Sequence, residues 1–168
     1  PSGKLPASFP YHVGQIPIFY EQLSTGRATN PDPNGFKTQY RDIPNDPLFP
    51  FGYGLSYTTF QYSNLTLSAP AISLKDSITI TATVKNTGKY NGEEVVQLYI
   101  SDPDCSVLRP SKELKDFSKV FLRPGEKKNI KFEIDADKLA FYSESEKNWI
   151  AEAGEFKILI GSSSRDIR

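Results

Sequence analysis

From Phe60 onward apolar residues recur at every second position, and this alternation restricts the chain to strands with one buried face. Ile78, Ile80, Ala82 and Val84 alternate with Thr79, Thr81 and Thr83, which puts β-branched side chains on both faces. Val96, Leu98 and Ile100 alternate with Gln97 and Tyr99, and Ile130, Phe132 and Ile134 with Lys131 and Glu133. Phe60 to Leu67 reads as a further strand, and Leu114, Phe117, Val120 and Phe121 mark another. Leu139 to Tyr142, Asn148 to Glu152 and Glu155 to Ile160 complete the set. Turn signals separate them at Asn86-Thr-Gly88, Asn91-Gly92, Arg123-Pro-Gly-Glu126 and Ala153-Gly-Glu155, and Asp135 to Lys138 suits one capped helical turn.

About seven short strands spaced about 8 to 12 residues apart are the pattern of an all-β sandwich. The stretch has the size of an immunoglobulin-like or fibronectin type III-like module. The chain has a single cysteine, so no disulfide can join the sheets, and the fibronectin-like variant fits better. Cys105 reads as an incidental thiol in a polar loop. Trp149, late in the chain beside a turn, reads as a core or rim aromatic rather than a sugar-stacking one.

Residues 1–55 are of another kind. Eight prolines from Pro6 to Pro50 fall here, no window keeps a helical period, and only Gln15 to Tyr20 suits a short extended piece. Compact domains seldom carry so long a stretch without secondary structure. Phe9, Tyr11, Ile16, Ile18, Phe19, Phe36, Phe49 and Phe51 make it too apolar for disorder. The expectation is an extended segment wrapped on another surface, either the second half of this chain or, preferably, protein that the chain lacks. Phe49 to Phe60, with five aromatics, two glycines and a proline, joins the two parts and suits neither a regular helix nor a regular strand.

Twenty basic residues balance 20 acidic ones, which argues against a nucleic-acid surface. No apolar run approaches the roughly 20 residues of a membrane span. The chain has no Met and starts within a motif at Pro1, so it reads as processed or truncated.

Pro1-Ser-Gly-Lys-Leu-Pro-Ala-Ser-Phe-Pro10, Val13-Gly-Gln-Ile-Pro17 and Tyr20 are similar to the end of the α/β sandwich domain of glycoside hydrolase family 3. Thr25-Gly-Arg27 and Tyr40-Arg-Asp42 resemble the linking loop of its bacterial, periplasmic β-glucosidase branch. Pro47 to Phe60 resembles its C-terminal signature. Val84 to Gly88, Gly92 to Tyr99, Pro110 to Phe117, Leu122 to Glu126 and Ile160 to Ile167 resemble its fibronectin type III-like terminal domain. One departure is Asp116, where the family commonly has glycine; the local backbone must tolerate a side chain there.

The resemblance implies a mainly β, fibronectin type III-like sandwich over 56–168. It makes 1–55 the terminal strand and linker of an α/β sandwich domain, packed on the rest of that domain. It implies a retaining β-glucosidase without cofactor, periplasmic or secreted, acting on terminal β-D-glucosyl residues through an aspartate nucleophile and a glutamate acid/base, both upstream of the matched segment. The expected partner is the remainder of the enzyme, as one chain or two, with a homodimer and the β-glucoside or oligosaccharide substrate besides; neither nucleic acid nor membrane is expected.

No catalytic residue is assigned in this chain. Retaining glycosidases need two carboxyl groups about 5 Å apart, one of them in an apolar setting. Asp42 with Asp46, Glu93 with Glu94, and Glu144 with Glu146 all read as solvated acids in loops or turns. His12, the sole histidine, supports neither a zinc site nor a nucleophile–base pair and reads as a surface or hydrogen-bonded group. Asp102-Pro-Asp104 reads as a turn rather than a cation site, so no metal is assigned. Gly52-Tyr-Gly54 lacks the following helix of a phosphate cradle. Asn64-Leu-Thr66 matches a glycosylation triplet that a bacterial source would leave unused. The loop from Leu23 to Pro47 could approach the aglycone side of the cleft, with Tyr40, Arg41 and Asp42 as substrate-binding candidates. The alternative reading is a stand-alone carbohydrate-binding or adhesive module, with Tyr53, Tyr57, Tyr99 and Trp149 free to stack on sugar.

Overall fold

The computed structural model describes residues 1–23, 40 and 42–167. Strand β1 (Phe60–Leu67) pairs with β2 (Ile78–Asn86), and β2 with β5 (Lys127–Ile134), all antiparallel. Strand β3 (Gly92–Ser101) lies between β4 (Glu113–Leu122) and β8 (Lys157–Gly161), again antiparallel. The two three-stranded sheets share one core. Ile80 and Val84 of β2, Phe132 and Ile134 of β5, Val96, Leu98 and Ile100 of β3, Leu122 of β4 and Ile160 of β8 are all buried in it. Each of these side chains contributes about 1.5–3 kcal/mol of apolar burial. The mainly β sandwich expected from the alternation is the observed architecture.

A turn of helix, α1 (Ala136–Leu139), follows β5, capped where the Asp135 carboxylate accepts from Lys138 N at 3.1 Å. It leads into a small hairpin of β6 (Phe141–Ser143) and β7 (Asn148–Ile150). Asn86 shows how the turn after β2 is fixed. Its buried amide donates to Tyr90 O at 2.8 Å and Leu122 O at 3.0 Å, and its Oδ1 accepts from Thr58 Oγ1 at 2.6 Å and Gly88 N at 3.0 Å. One side chain thus ties the β2–β3 turn to the end of β4, and truncating it would leave buried polar groups unpaired.

Strand β4 departs from strict alternation. Leu98 pairs with Asp116 but Tyr99 pairs with Leu114, so Lys115 is an extra residue and the strand bulges. The bulge puts Leu114 and Phe117 on the same outer face despite their spacing of three, which explains the irregular apolar pattern read there. Asp116 fits at this point: its carboxylate accepts from Phe117 N at 2.8 Å and pairs with Lys138 at 2.6 Å.

Gln15 to Tyr20 is not an extended piece at its start. Val13–Gln15 is a single 3-10 turn, because His12 Nδ1 accepts from Gly14 N at 3.1 Å and closes it. No strand follows over 16–20. The surface that the first segment wraps is, in part, this chain's own sandwich. An isolated antiparallel bridge joins Leu23 to Pro110 of the sandwich, and another, Phe9 to Phe49, closes the segment on itself. Among the described residues no helix is long and apolar enough to cross a membrane.

Candidate functional site

The junction between the N-terminal segment and the outer face of β3 is the most organised feature outside the core. Gln97 and Tyr99 point away from the core, yet they are 3% and 0% exposed. Their cover is Phe49 to Gly54 together with Tyr20. Gln97 Nε2 donates to Gly52 O at 3.1 Å and to Ser162 O at 2.7 Å, and the Tyr99 hydroxyl donates to Gln97 Oε1. Tyr20 stacks on Phe51 with ring centres 4.1 Å apart and meets Tyr99 edge-on at 6.1 Å. Backbone bonds complete the seal: Ser164 N to Phe51 O at 2.9 Å, Leu5 N to Tyr53 O and Gly52 N to Leu5 O, both at 2.8 Å.

Two glycines of this stretch have specific causes. Gly52 has φ +76°, and a Cβ there would overlap the Gln97 amide. A Cβ at Gly54 would overlap the Gly3 carbonyl. Gly52 thus lets the backbone approach the Gln97 side chain, and Gly54 lets it approach the backbone of Gly3.

The electrostatics follow from burial. Tyr20 is pushed up to about 12, first by burial and then by its hydrogen bond to Glu21. Burial also raises Tyr99, so both hydroxyls remain neutral donors across the ordinary pH range. A second polar cluster holds the loop between β3 and β4. Arg109, 9% exposed, pairs with Asp102 at 3.0 Å and with Glu113, donates to Leu139 O at 2.9 Å, and lies over the Phe141 ring. Burial opposes ionisation of Glu113, but its hydrogen bonds to Lys115 and Arg109 outweigh this and hold the carboxyl below the usual carboxylate range.

The substrate-binding candidates are placed as follows. Tyr40 is half exposed; its hydroxyl donates to Gly14 O at 3.1 Å and its N–H to Asn45 Oδ1 at 3.1 Å. Asp42 is exposed. Arg41 lies outside the described residues, as do Thr25-Gly-Arg27 and most of the Leu23–Pro47 loop.

Two carboxylate readings need correction. Glu93 and Glu94 are neither in a loop nor both solvated, because both lie in β3. Glu94 is 6% exposed and pairs with Lys4 at 2.9 Å, while Glu93 bonds Lys119 and Ser2, both at 2.9 Å. The N-terminal segment, ninety positions away in sequence, supplies the lysine that neutralises Glu94 and a hydroxyl for Glu93, whose own ion-pair partner Lys119 stands on β4. Tyr99 likewise is sealed at the junction and cannot stack on sugar. Trp149 is a rim aromatic, 66% exposed and edge-on to Tyr142. His12 is the hydrogen-bonded surface group expected, and Asp102 is committed to Arg109. Cys105 lies partly buried near Glu152. Among the described residues no three His, Cys, Asp or Glu side chains gather as metal ligands.

A family description, the fibronectin type III-like domain, matches residues 94–164. The periplasmic β-glucosidase of Salmonella typhimurium is 48% identical across the whole of this chain, which covers 22% of that protein. The β-glucosidase BoGH3A of Bacteroides ovatus is 46% identical, again over the whole chain and over 23% of its own length. A crystal structure of β-glucosidase from Listeria innocua in complex with glucose superimposes with a TM-score of 0.92 at 40% identity, covering 100% of this chain and 23% of that one. The chain therefore spans under a quarter of the length of these relatives.

Proposed function

We propose that this chain, which is similar along its length to part of several β-glucosidases and matches the fibronectin type III-like domain over residues 94–164, is the non-catalytic C-terminal end of a glycoside hydrolase family 3 enzyme. The parent reaction is hydrolysis of terminal non-reducing β-D-glucosyl residues with retention. The observation that carries the reading is similarity over the whole of this chain with proteins more than four times as long, two of them named β-glucosidases from distinct bacteria. In this reading 1–55 are the terminal strand and linker of the α/β sandwich domain and 56–168 the fibronectin-like module.

The role of the piece is mechanical. Its junction clamps the linker onto β3 through Gln97, Tyr99 and Phe51, and it presents Phe9, Tyr11, Val13, Ile16 and Phe19, all about half exposed or more, to the preceding domains. A homodimer would add a second contact surface. Tyr40, Arg41 and Asp42 are proposed at the aglycone edge of the cleft. The enzyme is proposed to work in the periplasm or outside the cell, as the Salmonella relative's name states for that protein.

The test is an assay of the pure 168-residue chain and of the intact enzyme on an aryl β-glucoside. Turnover by the intact enzyme alone is expected; turnover by the isolated chain would refute the non-catalytic assignment. The exposed Tyr142–Trp149 pair favours one other reading, a sugar-binding module. Retardation of the isolated chain in a soluble β-glucan gel, lost in Trp149→Ala, would support it.

A further inference from the structure

The outer face of the β4–β3–β8 sheet is covered over only part of its width. Tyr20 meets Tyr99 edge-on and carries Phe51 stacked on it, Tyr20 accepts from Leu114 N at 3.2 Å, and Gly52 lies over Gln97. Directly across from Gln97 on β4 stands Phe117, and across from Glu93 stands Phe121. The β4 bulge turns Phe117 to this outer face, and period two carries it on through Lys119 to Phe121. Phe117 is 62% exposed and Phe121 46%. Two phenylalanines on the solvent side of an edge strand are what a sheet avoids unless something covers them.

Residues of the N-terminal segment lie beside the same strip. Ser2 Oγ donates to Glu93 Oε2 at 2.9 Å, and Lys119 pairs with the same carboxylate oxygen at 2.9 Å. Glu93 is the cross-strand partner of Phe121. Under the C-terminal reading proposed above, the body of the enzyme joins this chain beside Lys119 and Phe121. The relatives carry more than three quarters of their length outside the region matched here.

We infer that the preceding body of the enzyme seats on a two-part surface: the exposed Phe9 to Phe19 side of the N-terminal segment, and the Phe117–Lys119–Phe121 strip of β4. This rests on the C-terminal assignment made above. The strip makes the module a wall of the interface rather than a pendant on a linker. The opposite sheet, whose outer face shows Thr79, Thr81, Lys131 and Glu133, remains in water.

Hydroxyl-radical footprinting of the intact enzyme tests this. Each residue's labelling rate is corrected for intrinsic reactivity, with Tyr142 and Trp149 as exposed references. Phe117 and Phe121 are expected to label several-fold more slowly than the references, as are Phe9 and Phe19. If Phe9 and Phe19 are protected while Phe117 and Phe121 match the references, the β4 strip is overturned and the C-terminal assignment stands. If all four match the references, both fall. Protection of the β4 pair that disappears on dilution would place a second copy there and overturn the inference.

Discussion

Alanine at Gly52 is predicted to destabilise the chain far more than alanine at Gly125, although both glycines have φ +76°. The two sites share a backbone cost, about 1–2 kcal/mol for an L-residue in the left-handed region. They differ in what surrounds them. A Cβ at Gly125 meets nothing within 4 Å, whereas at Gly52 it would overlap the Gln97 amide. That amide cannot simply move aside, because it is bonded to Gly52 O, Ser162 O and the Tyr99 hydroxyl under nearly complete burial. Losing two or three such bonds at about 0.5–1.5 kcal/mol each, with buried partners left unpaired, brings Gly52→Ala to about 3–5 kcal/mol. At about 2–4 °C per kcal/mol for a chain of this size, the Gly125→Ala melting point falls by a few degrees and that of Gly52→Ala by about 6–20 °C. Thermal unfolding of the 168-residue chain followed by far-UV circular dichroism measures both. Gln97→Ala removes the atoms in the way, so the Gly52→Ala, Gln97→Ala double variant should be more stable than the summed losses by about 1 kcal/mol or more. Equal losses for the two glycine variants, or strict additivity in the double variant, would refute a close-packed junction.

Acid should weaken the fold partly through Glu113. Its folded carboxyl titrates below the unfolded value, so its stabilisation is fully present above about pH 4.3 and is lost as pH falls through the lower folded value. Urea midpoints at successive pH values down through this range should fall less steeply for Glu113→Gln than for the native chain. Leu98→Ala, in the centre of the core, should cost about 2–5 kcal/mol, while Trp149→Ala on the exposed hairpin should stay within about 0.5 kcal/mol; denaturant unfolding separates them. In the intact enzyme, Tyr40→Ala and Arg41→Ala should change the ratio of kcat/KM between aryl glucoside and disaccharide substrates. An unchanged ratio with normal stability would leave Tyr40 only its bond to Gly14 O and remove it from the cleft.

The strands were legible because one face of each is buried locally and repeats every second residue. Ile78 to Val84 and Ile130 to Ile134 are core strands by pattern alone, and the helical turn after Asp135 follows from its cap. Other features depend on partners far away in sequence, which periodicity does not reach. Gln97 looks like the solvent side of β3 until Gly52, 45 positions earlier, is laid over it. Glu94 looks like a surface acid until Lys4 reaches it. The turn at Val13–Gln15 depends on a histidine ring nitrogen and on Gln15, whose amide donates to Pro44 O at 2.7 Å, rather than on any apolar period. The same logic explains why the catalytic chemistry is not readable here. A carboxylate becomes an acid catalyst through the apolar surface and second carboxylate that other segments bring to it. The buried carboxylates of Asp102 and Glu94 are instead already neutralised by an arginine and a lysine. Ion pairs closed in this way hold loops and linkers in place, and their charges are spent on that task rather than left available for a sugar.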